Sequence, residues 1–212
     1  MADYDRAIEF DPSSAVAFER RGQLRQRARQ YADALVDFEH VVDLEPMEGT
    51  GYADRGALLA EMGQYQRAIA DLDRAIVHDP KLAKAYSSRG WALTEVGEYV
   101  RALADLDKAI QIDPTLGIAF NNRGLLYLRT ARYALAIEDL DRAISLDSGL
   151  GQAFMNRGLA KIGLGRCSDG VGDVRLGLSL EPSLPDRMLS DSRTFILRSQ
   201  CSSRIDILPA PT

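Results

Sequence analysis

Residues 83–116 read AKAYSSRGWALTEVGEYVRALADLDKAIQIDPTL, and this stretch decides the fold. Tyr86, Gly90 and Leu93 lie at positions i, i+4 and i+7, the spacing of one apolar face of an α-helix. After a turn, a second helical stripe runs toward Pro114, which cannot continue a helix and biases the residue before it away from helical geometry. The stretch therefore predicts two short helices joined by a turn.

The second stripe consists of Ala102, Leu106 and Ala109. The small residues Gly90 and Ala102 let the two helix backbones approach closely, and the aromatic and leucine side chains beside them fill the remaining space. No segment of the chain alternates with period two over a useful length, so a β-structure is not expected.

The same stretch recurs with a constant period of 34 residues. An arginine–glycine pair marks the period at Arg21-Gly22, Arg55-Gly56, Arg89-Gly90, Arg123-Gly124 and Arg157-Gly158. Prolines keep the same period at Pro12, Pro46, Pro80, Pro114 and Pro182, with Ser148 in the one missing position. A fixed period of this length indicates one supersecondary unit stacked on copies of itself.

The pattern resembles the tetratricopeptide repeat family, in which aromatic-x-x-Leu-Gly-x-x-Tyr is followed by Ala-x-x-x-Phe and then by Pro. The matching residues are Phe18, Gly22, Ala34, Phe38 and Pro46; Tyr52, Gly56, Ala68, Leu72 and Pro80; Tyr86, Gly90, Ala102, Leu106 and Pro114; and Phe120, Gly124, Tyr127, Ala136 and Leu140. The resemblance covers about residues 1–184. It implies an all-α, right-handed superhelical solenoid of antiparallel helix hairpins.

We expect the chain to divide into eight segments. They are a remnant second helix (1–14), four repeats (15–48, 49–82, 83–116 and 117–150), a degenerate fifth repeat (151–184), a capping helix (185–198) and an irregular tail (199–212). The remnant is expected because residues 3–12 align with the end of a second helix, so that either the chain is a fragment of a longer protein or its assigned start lies too late.

The fifth repeat is expected to be degenerate because its second half is rich in glycine, at Gly165, Gly170, Gly172 and Gly177. Each glycine inside a helix costs about 1 kcal/mol relative to alanine. The capping helix is expected from an apolar face formed by Met188, Leu189, Phe195 and Ile196.

Arginine stands before the glycine of every copy, where the family usually has leucine. Aspartates share a phase on the second helix, at Asp37, Asp71, Asp105, Asp139 and Asp173. A long arginine stem can pack while its guanidinium group pairs with a neighbouring carboxylate. We interpret the pattern as an internal Arg–Asp ladder with a structural role; the alternative is a set of solvated charges.

Composition narrows the classes of partner. The net charge of −5 gives no general reason to bind nucleic acid. No apolar run approaches the ~18 residues that span a membrane, and no secretory signal opens the chain, although a late start would have removed one. Cys167 and Cys201 are too few for a disulfide framework; we expect both to be inert thiols and the location to be cytoplasmic.

The sequence contains few residues that could support catalysis. The only histidines, His40 and His78, both lie late in second helices and are expected to be surface residues. No Ser/His/Asp or Cys/His arrangement can be assembled from them. The pair Asp105 and Asp107 lacks the glycine and the terminal glutamate of a calcium loop. We therefore expect no enzymatic activity, no cofactor and no metal site.

When such hairpins stack, the first helices should line the concave side, and a ligand should bind there. The candidate contact residues are Arg20, Arg27, Lys84, Trp91, Asn121, Asn122, Leu125, Leu128, Met155, Asn156 and Leu159. Asparagine amides can donate to and accept from a peptide backbone, while apolar side chains form pockets. The alternative is that Trp91 and the leucines pack between repeats.

Arginines crowd the first helix, at Arg20, Arg21, Arg25, Arg27 and Arg29. They are either a solvated face or a site for an acidic segment of the ligand. One subset of the family grips the carboxylate of chaperone tails with a lysine, arginine and asparagine clamp. Asn122 matches the middle position of that clamp, but Ser87 and Trp91 occupy positions that require a basic residue and an asparagine. A carboxylate clamp is therefore not expected.

The leading hypothesis is a non-catalytic module that binds an extended peptide or a partner helix in its concave groove. The second is a scaffold that self-associates through the ends of the solenoid, with the N-terminal end as the site of homo-oligomer formation. The third is an accessory domain of a longer protein.

Overall fold

The structure is a computed structural model that describes residues 1–181 and Cys201. The described residues form eleven α-helices and no strand, which confirms the predicted all-α class. In chain order they are α1 (Ala2–Phe10), α2 (Ala15–Arg27), α3 (Tyr31–Leu44), α4 (Gly49–Glu61), α5 (Tyr65–His78), α6 (Ala83–Glu95), α7 (Tyr99–Ile112), α8 (Gly117–Arg129), α9 (Tyr133–Leu146), α10 (Gly151–Gly163) and α11 (Cys167–Leu180).

The helices form two compact units, residues 1–112 and residues 113–212. In the N-terminal unit, α2 packs against α3, α4 against α5, and α6 against α7. In the C-terminal unit, α8 packs against α9, and α10 against α11. Each pair is one helix hairpin, in which a first helix of 13 residues precedes a second helix of 14 residues.

The turn inside each hairpin has the same backbone conformation. One residue per hairpin adopts a positive φ, at Arg29, Gly63, Gly97, Ala131 and Gly165. These positions follow the end of the first helix, where a left-handed residue commonly closes the last turn. In the second hairpin the Gly63 N–H donates to the carbonyl oxygen of Ala60 at 2.9 Å, and the Gln64 N–H donates to that of Leu59 at 2.8 Å.

The core of each hairpin depends on a glycine in the first helix. A Cβ atom on Gly90 would lie 2.6 Å from Cγ of Leu106 and 3.2 Å from the carbonyl oxygen of Ala102. Leu106 and Ala102 are both completely buried. The glycine therefore sets how closely the two helices approach, as the sequence predicts.

The fifth hairpin uses its glycines differently from the sequence-based expectation. A Cβ atom on Gly170 would lie 2.6 Å from the Gly158 carbonyl oxygen, and one on Gly177 would lie 2.6 Å from the Gly151 carbonyl oxygen. Within α11, Gly172 alone has open space around its Cα. Two of the three glycines inside this helix therefore allow close packing on α10. The predicted capping helix (185–198) lies outside the described residues, as does the predicted tail apart from Cys201.

Helix α1 is a single helix that packs on α2. It has no buried residue, and Phe10 at its end is 93% exposed. The Asp5 carboxylate accepts a hydrogen bond from Arg21 Nη1 at 2.8 Å. The side of α1 that faces α2 is therefore occupied.

Candidate functional site

First helices lie next to each other in each unit. In the N-terminal unit, all of whose residues are described, α4 contacts both α2 and α6, whereas no two second helices make contact. In the C-terminal unit α8 contacts α10. We define the inner face of the N-terminal unit as the side formed by α2, α4 and α6, and that of the C-terminal unit as the side formed by α8 and α10.

The predicted Arg–Asp ladder is present and holds each first helix to its second helix. Arg89 donates from Nε and Nη2 to the two carboxylate oxygens of Asp105, each at 2.7 Å. We call each such pair a rung; the rungs are Arg21–Asp37, Arg55–Asp71, Arg89–Asp105, Arg123–Asp139 and Arg157–Asp173. The aspartates are at most 9% exposed. Two parallel charge-assisted bonds satisfy both oxygens of each buried carboxylate.

The arginine of a rung also makes contacts that the sequence analysis missed. Arg89 Nη1 donates to Asp73 of the preceding hairpin at 2.7 Å, and Arg157 donates to Asp141 at 2.6 Å. Each guanidinium group lies 5.3 to 5.8 Å from the ring centre of the aromatic residue three positions earlier. Two features of the sequence could have indicated these contacts. One is the Asp-x-Asp spacing on the second helices. The other is the i, i+3 spacing between the aromatic residue and the arginine, which places both on one helix face.

Polar side chains connect consecutive first helices on the inner face of the N-terminal unit. Gln23 Nε2 donates to Asp54 Oδ2 at 2.9 Å and to Glu19 Oε1 at 2.8 Å. Gln26 Nε2 donates to Glu61 Oε1 at 2.8 Å. These residues form a row of donors and acceptors that runs from α2 onto α4, and we call it the polar row.

Asp54 is a carboxyl group of this row whose pKa is shifted. Burial raises its pKa, and the neighbouring Glu19 charge adds to this effect. The hydrogen bond from Gln23 opposes the rise, as do the charges of Lys84 and Arg20. Burial therefore disfavours the ionised form of this acid on the inner face, and two nearby cations offset part of that effect.

Internal ion pairs reduce the number of arginines that are accessible to a ligand at the predicted basic end of the chain. Arg21 Nη2 and Arg25 Nη1 each bond the buried Asp37 carboxylate at 2.7 Å. Arg20, Arg27 and Arg29 remain exposed. Of the predicted contact residues in this unit, Arg20, Arg27 and Lys84 are therefore accessible.

Trp91 lies half-buried on α6. Its ring meets that of Tyr65 edge-on, with 6.5 Å between ring centres and 82° between planes. It packs against the cluster that includes Leu59, Ala85 and Ala92. Packing between repeats, which was the alternative interpretation, thus accounts for part of its surface.

The predicted contact residues of the C-terminal unit are mostly buried. Asn156 Nδ2 donates to Asn121 Oδ1 at 3.1 Å, and Asn121 Nδ2 donates to Asn122 Oδ1 at 3.3 Å. The exposed fractions are 1% for Asn121, 7% for Asn122, 8% for Leu128, 0% for Met155, 1% for Asn156 and 6% for Leu159. Leu125 is half-buried. We expected an open surface; these amides instead bond one another, and their contact with a ligand stays a prediction.

Cys167 at the start of α11 and Cys201 form a disulfide, with 5.5 Å between their Cα atoms. The expectation of two separate thiols is therefore wrong. The two cysteines stand 34 residues apart, one repeat period, and this spacing could have indicated the pairing. Disulfides persist mainly in oxidising compartments, so the pairing does not favour the cytoplasmic location, which stays a prediction.

Residues 1–181 and Cys201 contain no group of three or more His, Cys, Asp and Glu side chains arranged to hold a metal ion. None of the described helices is both long and apolar enough to cross a membrane.

Stacked helix hairpins of constant length define a helical-repeat protein. The family model described as Tetratricopeptide repeat matches residues 83–116, and a second model of that description matches residues 118–149. The chain thus contains tetratricopeptide repeats. No curated protein matches the sequence.

Solved structures of similar fold support the assignment. A chain in the APC/C hetero-tetramer Cut9-Hcn1 has a TM-score of 0.81 at 15% identity, over 95% of this chain and 40% of that one. The protein TTC0263 of Thermus thermophilus has a TM-score of 0.72 at 17% identity, over 87% of this chain and 100% of that one. YrrB, whose structure is described as having an unusual peptide-binding site, has a TM-score of 0.54 at 16% identity, over 90% of this chain and 97% of that one. At these identities the likeness shows the fold alone, and the fold is a general protein–protein interaction module.

Proposed function

We propose that this chain is a non-catalytic module that binds an extended peptide or a partner helix along the inner face of its N-terminal unit. The observation that carries the proposal is the polar row that links consecutive first helices through Gln23–Asp54 and Gln26–Glu61. The carboxylate oxygens of this row can each accept a further hydrogen bond from the backbone N–H groups or the side chains of a ligand. The peptide-binding site described for YrrB gives fold-level support.

The charges of this face favour a ligand with an acidic segment. Arg20 and Lys84 are exposed beside Asp54, and Arg27 is exposed at the end of α2. An acidic ligand residue can pair with Arg20 or Lys84, whereas the buried rung arginines already have carboxylate partners. Trp91 adds apolar surface at the third first helix.

The C-terminal unit offers less accessible surface to a ligand. Asn121, Asn122, Leu128, Met155, Asn156 and Leu159 are buried. The proposed contact in this unit therefore rests on the half-buried Leu125.

The positions of the two histidines support a non-catalytic role. The His40 ring lies 4.7 Å from the ring centre of Phe18, and the His78 ring lies 5.7 Å from that of Tyr52. Both imidazoles therefore lie against aromatic rings of first helices, where they take part in packing.

An array of acidic peptides probed with the purified chain tests the proposal. The variant Arg20→Glu with Lys84→Glu should weaken binding of the best peptide at least tenfold, because two exposed cations are replaced by anions. Arg67→Glu on the second helix α5 is the matched control, since Arg67 is exposed and bonds only the adjacent turn residue Gln64. Equal loss in both variants would mean that the inner face is not the site.

Self-association through the ends of the solenoid is the competing function. Light scattering over a concentration series separates the two. A monomer that binds the peptide supports the module, whereas a concentration-dependent oligomer without peptide binding supports the scaffold.

A further inference from the structure

Asp54 belongs to a pair of acids on the inner face of the N-terminal unit. Gln23 Nε2 donates to Asp54 Oδ2 at 2.9 Å and to Glu19 Oε1 at 2.8 Å. Because one nitrogen atom bonds both carboxylates, the two acids lie within two hydrogen-bond lengths of each other. Carboxylates this close repel each other, and the repulsion favours a proton on one of them.

Two cations flank this acid pair. Arg20 of α2 and Lys84 of α6 are exposed, and the positive charge of each acts on Asp54. Arg20 Nη1 donates to Gln23 Oε1 at 3.2 Å, in an exposed hydrogen bond. Within the described part of the chain, no carboxylate forms an ion pair with Lys84. Three consecutive first helices thus bring two cations to one acid, and both cations can also reach a ligand.

The other neighbours of α4 place their charges elsewhere. Helices α3 and α5 also pack on α4. Their carboxylates Asp71 and Glu39 act on Arg55, the arginine of the rung in this hairpin. The charges that act on Asp54 therefore come from α2 and α6.

One carboxylate oxygen of Asp54 remains available to a ligand. Gln23 bonds Oδ2, and among the described residues no group donates to Oδ1. An ionised carboxylate is an acceptor only, whereas a protonated carboxyl group carries an O–H that donates. Asp54 therefore presents an acceptor or a donor, depending on its protonation.

An anion that binds both cations would favour the protonated form of Asp54. Its charge would repel the Asp54 carboxylate. It would also attract Arg20 and Lys84, whose charges offset part of the burial that raises the pKa of Asp54. Both effects have the same sign, so the pKa of Asp54 would be higher in the complex than in the unbound chain.

We propose that Arg20, Lys84 and Asp54 form a subsite for one carboxylate of the ligand, and that Asp54 takes up a proton from the solvent when this carboxylate binds. Arg20 and Lys84 pair with the ligand carboxylate, and the protonated Asp54 donates its O–H to it. The inference rests on the proposed function, because it specifies how the N-terminal unit holds an acidic segment.

The sign of the pH dependence follows from linkage. For a ligand that stays ionised, affinity is highest below the pKa of Asp54 in the unbound chain. It falls as the pH rises through the pKa of Asp54 in the complex. A ligand cation would have the opposite effect, because it would bond the ionised carboxylate and lower this pKa.

Carbon NMR of the full chain with labelled aspartate side chains follows this proton directly. The probe is the tightest-binding peptide of the acidic array, added to saturation and titrated between pH 4 and 8. The titration midpoint of Asp54 should rise by about half a pH unit or more on binding. That of Asp33, an exposed aspartate of α3, should not change. An Asp54 midpoint that stays in place or falls overturns the inference.

The variant Asp54→Asn supplies a second measurement, because its amide is neutral and can donate at every pH. Fluorescence anisotropy at pH 5.5 and pH 8 compares affinities where the peptide carboxylates, with ordinary pKa values of about 4, are ionised. The wild type should bind more weakly at pH 8 than at pH 5.5. Asp54→Asn should bind equally at both and exceed the wild type at pH 8 by roughly threefold or more.

The matched control is Asp33→Asn, which should keep the pH dependence of the wild type. Equal or weaker binding by Asp54→Asn than by the wild type at pH 8 overturns the inference. If the peptide binds without this pH dependence, the inference fails and the proposed function stands. If no peptide of the array binds, both fail.

Discussion

Arg89 shows how a charged residue can take a position that usually holds leucine. Its guanidinium carbon lies over the Tyr86 ring, 5.7 Å from the ring centre, while its nitrogens bond Asp105 and Asp73. The hydrogen bonds to Asp105 raise the pKa of Arg89 above its ordinary value, so the group is charged at any pH at which the protein is folded. A partly buried cation of this kind depends on its carboxylate partners.

Arg89→Leu should reduce the free energy of unfolding by about 1–3 kcal/mol, because the Asp105 carboxylate loses both of its donors. Adding Asp105→Ala should recover part of that loss. Chemical denaturation of the four proteins in the cycle measures the coupling. Arg101→Ala is the control: its pair with Glu98 is exposed, and the change should stay within about 0.5 kcal/mol. Strict additivity would refute the pairing.

Two aspartates should respond to pH in opposite directions. The folded-state pKa of Asp54 is raised, mainly by burial, so its ionisation opposes folding above the ordinary value of about 3.9. Asp54→Asn should therefore stabilise the chain at pH 7, and the difference should vanish as the pH falls below about 3.

Burial also opposes ionisation of Asp173, but hydrogen bonds from Arg157 and Lys161 bring its pKa below the ordinary value. Its stabilising contribution is present above that ordinary value and is lost as the pH falls through the lowered pKa. Asp173→Asn should destabilise the chain at pH 7. Thermal unfolding between pH 2.5 and 7 checks both variants, and parallel curves for the two would contradict the assignment.

Glycines in similar helices should give opposite results when changed to alanine. Gly90→Ala should destabilise by about 1–3 kcal/mol, because the new methyl group would lie 2.6 Å from Leu106 Cγ. Gly172→Ala should stabilise by about 0.5–1 kcal/mol, since it restores helix propensity at a position with open space. Denaturant unfolding measures both, and equal signs would show that local packing does not decide the effect.

Many contacts of single residues can be predicted from the sequence spacing alone. The Arg–Asp rungs and the glycine contacts inside hairpins are predictable, because both partners lie at fixed positions of one repeat. The burial of Asn121 and Asn156 is not predictable in this way, since it depends on contacts between different hairpins. The roles of Gly170 and Gly177 also escaped the sequence, because helix propensity ignores how closely a neighbouring backbone approaches.

At the scale of single elements, α11 is held in place by tertiary contacts and by a disulfide. Two of its glycines contact α10 backbone, its Asp173 receives bonds from Arg157 and Lys161, and its first residue forms the disulfide with Cys201. Helix propensity contributes little to this helix, so tertiary contacts and the covalent link must compensate.

Reduction of the disulfide should therefore weaken α11 before the other helices. A link that closes a loop of this size is worth about 2–4 kcal/mol in the chain-entropy account. Hydrogen exchange of the α11 amides should become faster in reductant, while those of α4 and α5 stay unchanged. In the Cys167→Ser variant, reductant should have no further effect. Two titratable thiols in the native, unreduced chain would contradict the pairing.

At the scale of the whole molecule, the division into two compact units predicts unfolding in more than one step. Elements in a repeat stack contact only their neighbours, so cooperativity decreases with distance along the chain. Calorimetry should give a calorimetric enthalpy that exceeds the van 't Hoff enthalpy. Gly90→Ala should shift the part of the transition that belongs to residues 1–112 and leave the remainder in place. One two-state transition that shifts as a whole would exclude independent units.

The second acid of each Asp-x-Asp pair has a consequence for how such a chain can change in length. Arg89 bonds Asp73 of the preceding hairpin, and the same position one period earlier is Glu39, whose charge acts on Arg55. If recombination removed residues 49–82, Arg89 would stand 16 positions after Glu39 and would again have an acid on either side. Loss or duplication of a whole number of 34-residue repeats within residues 1–112 therefore preserves this contact, whereas a change of any other length shifts its two partners out of phase. The hairpins are interchangeable parts, and copy number can vary by whole repeats without a new interface having to evolve.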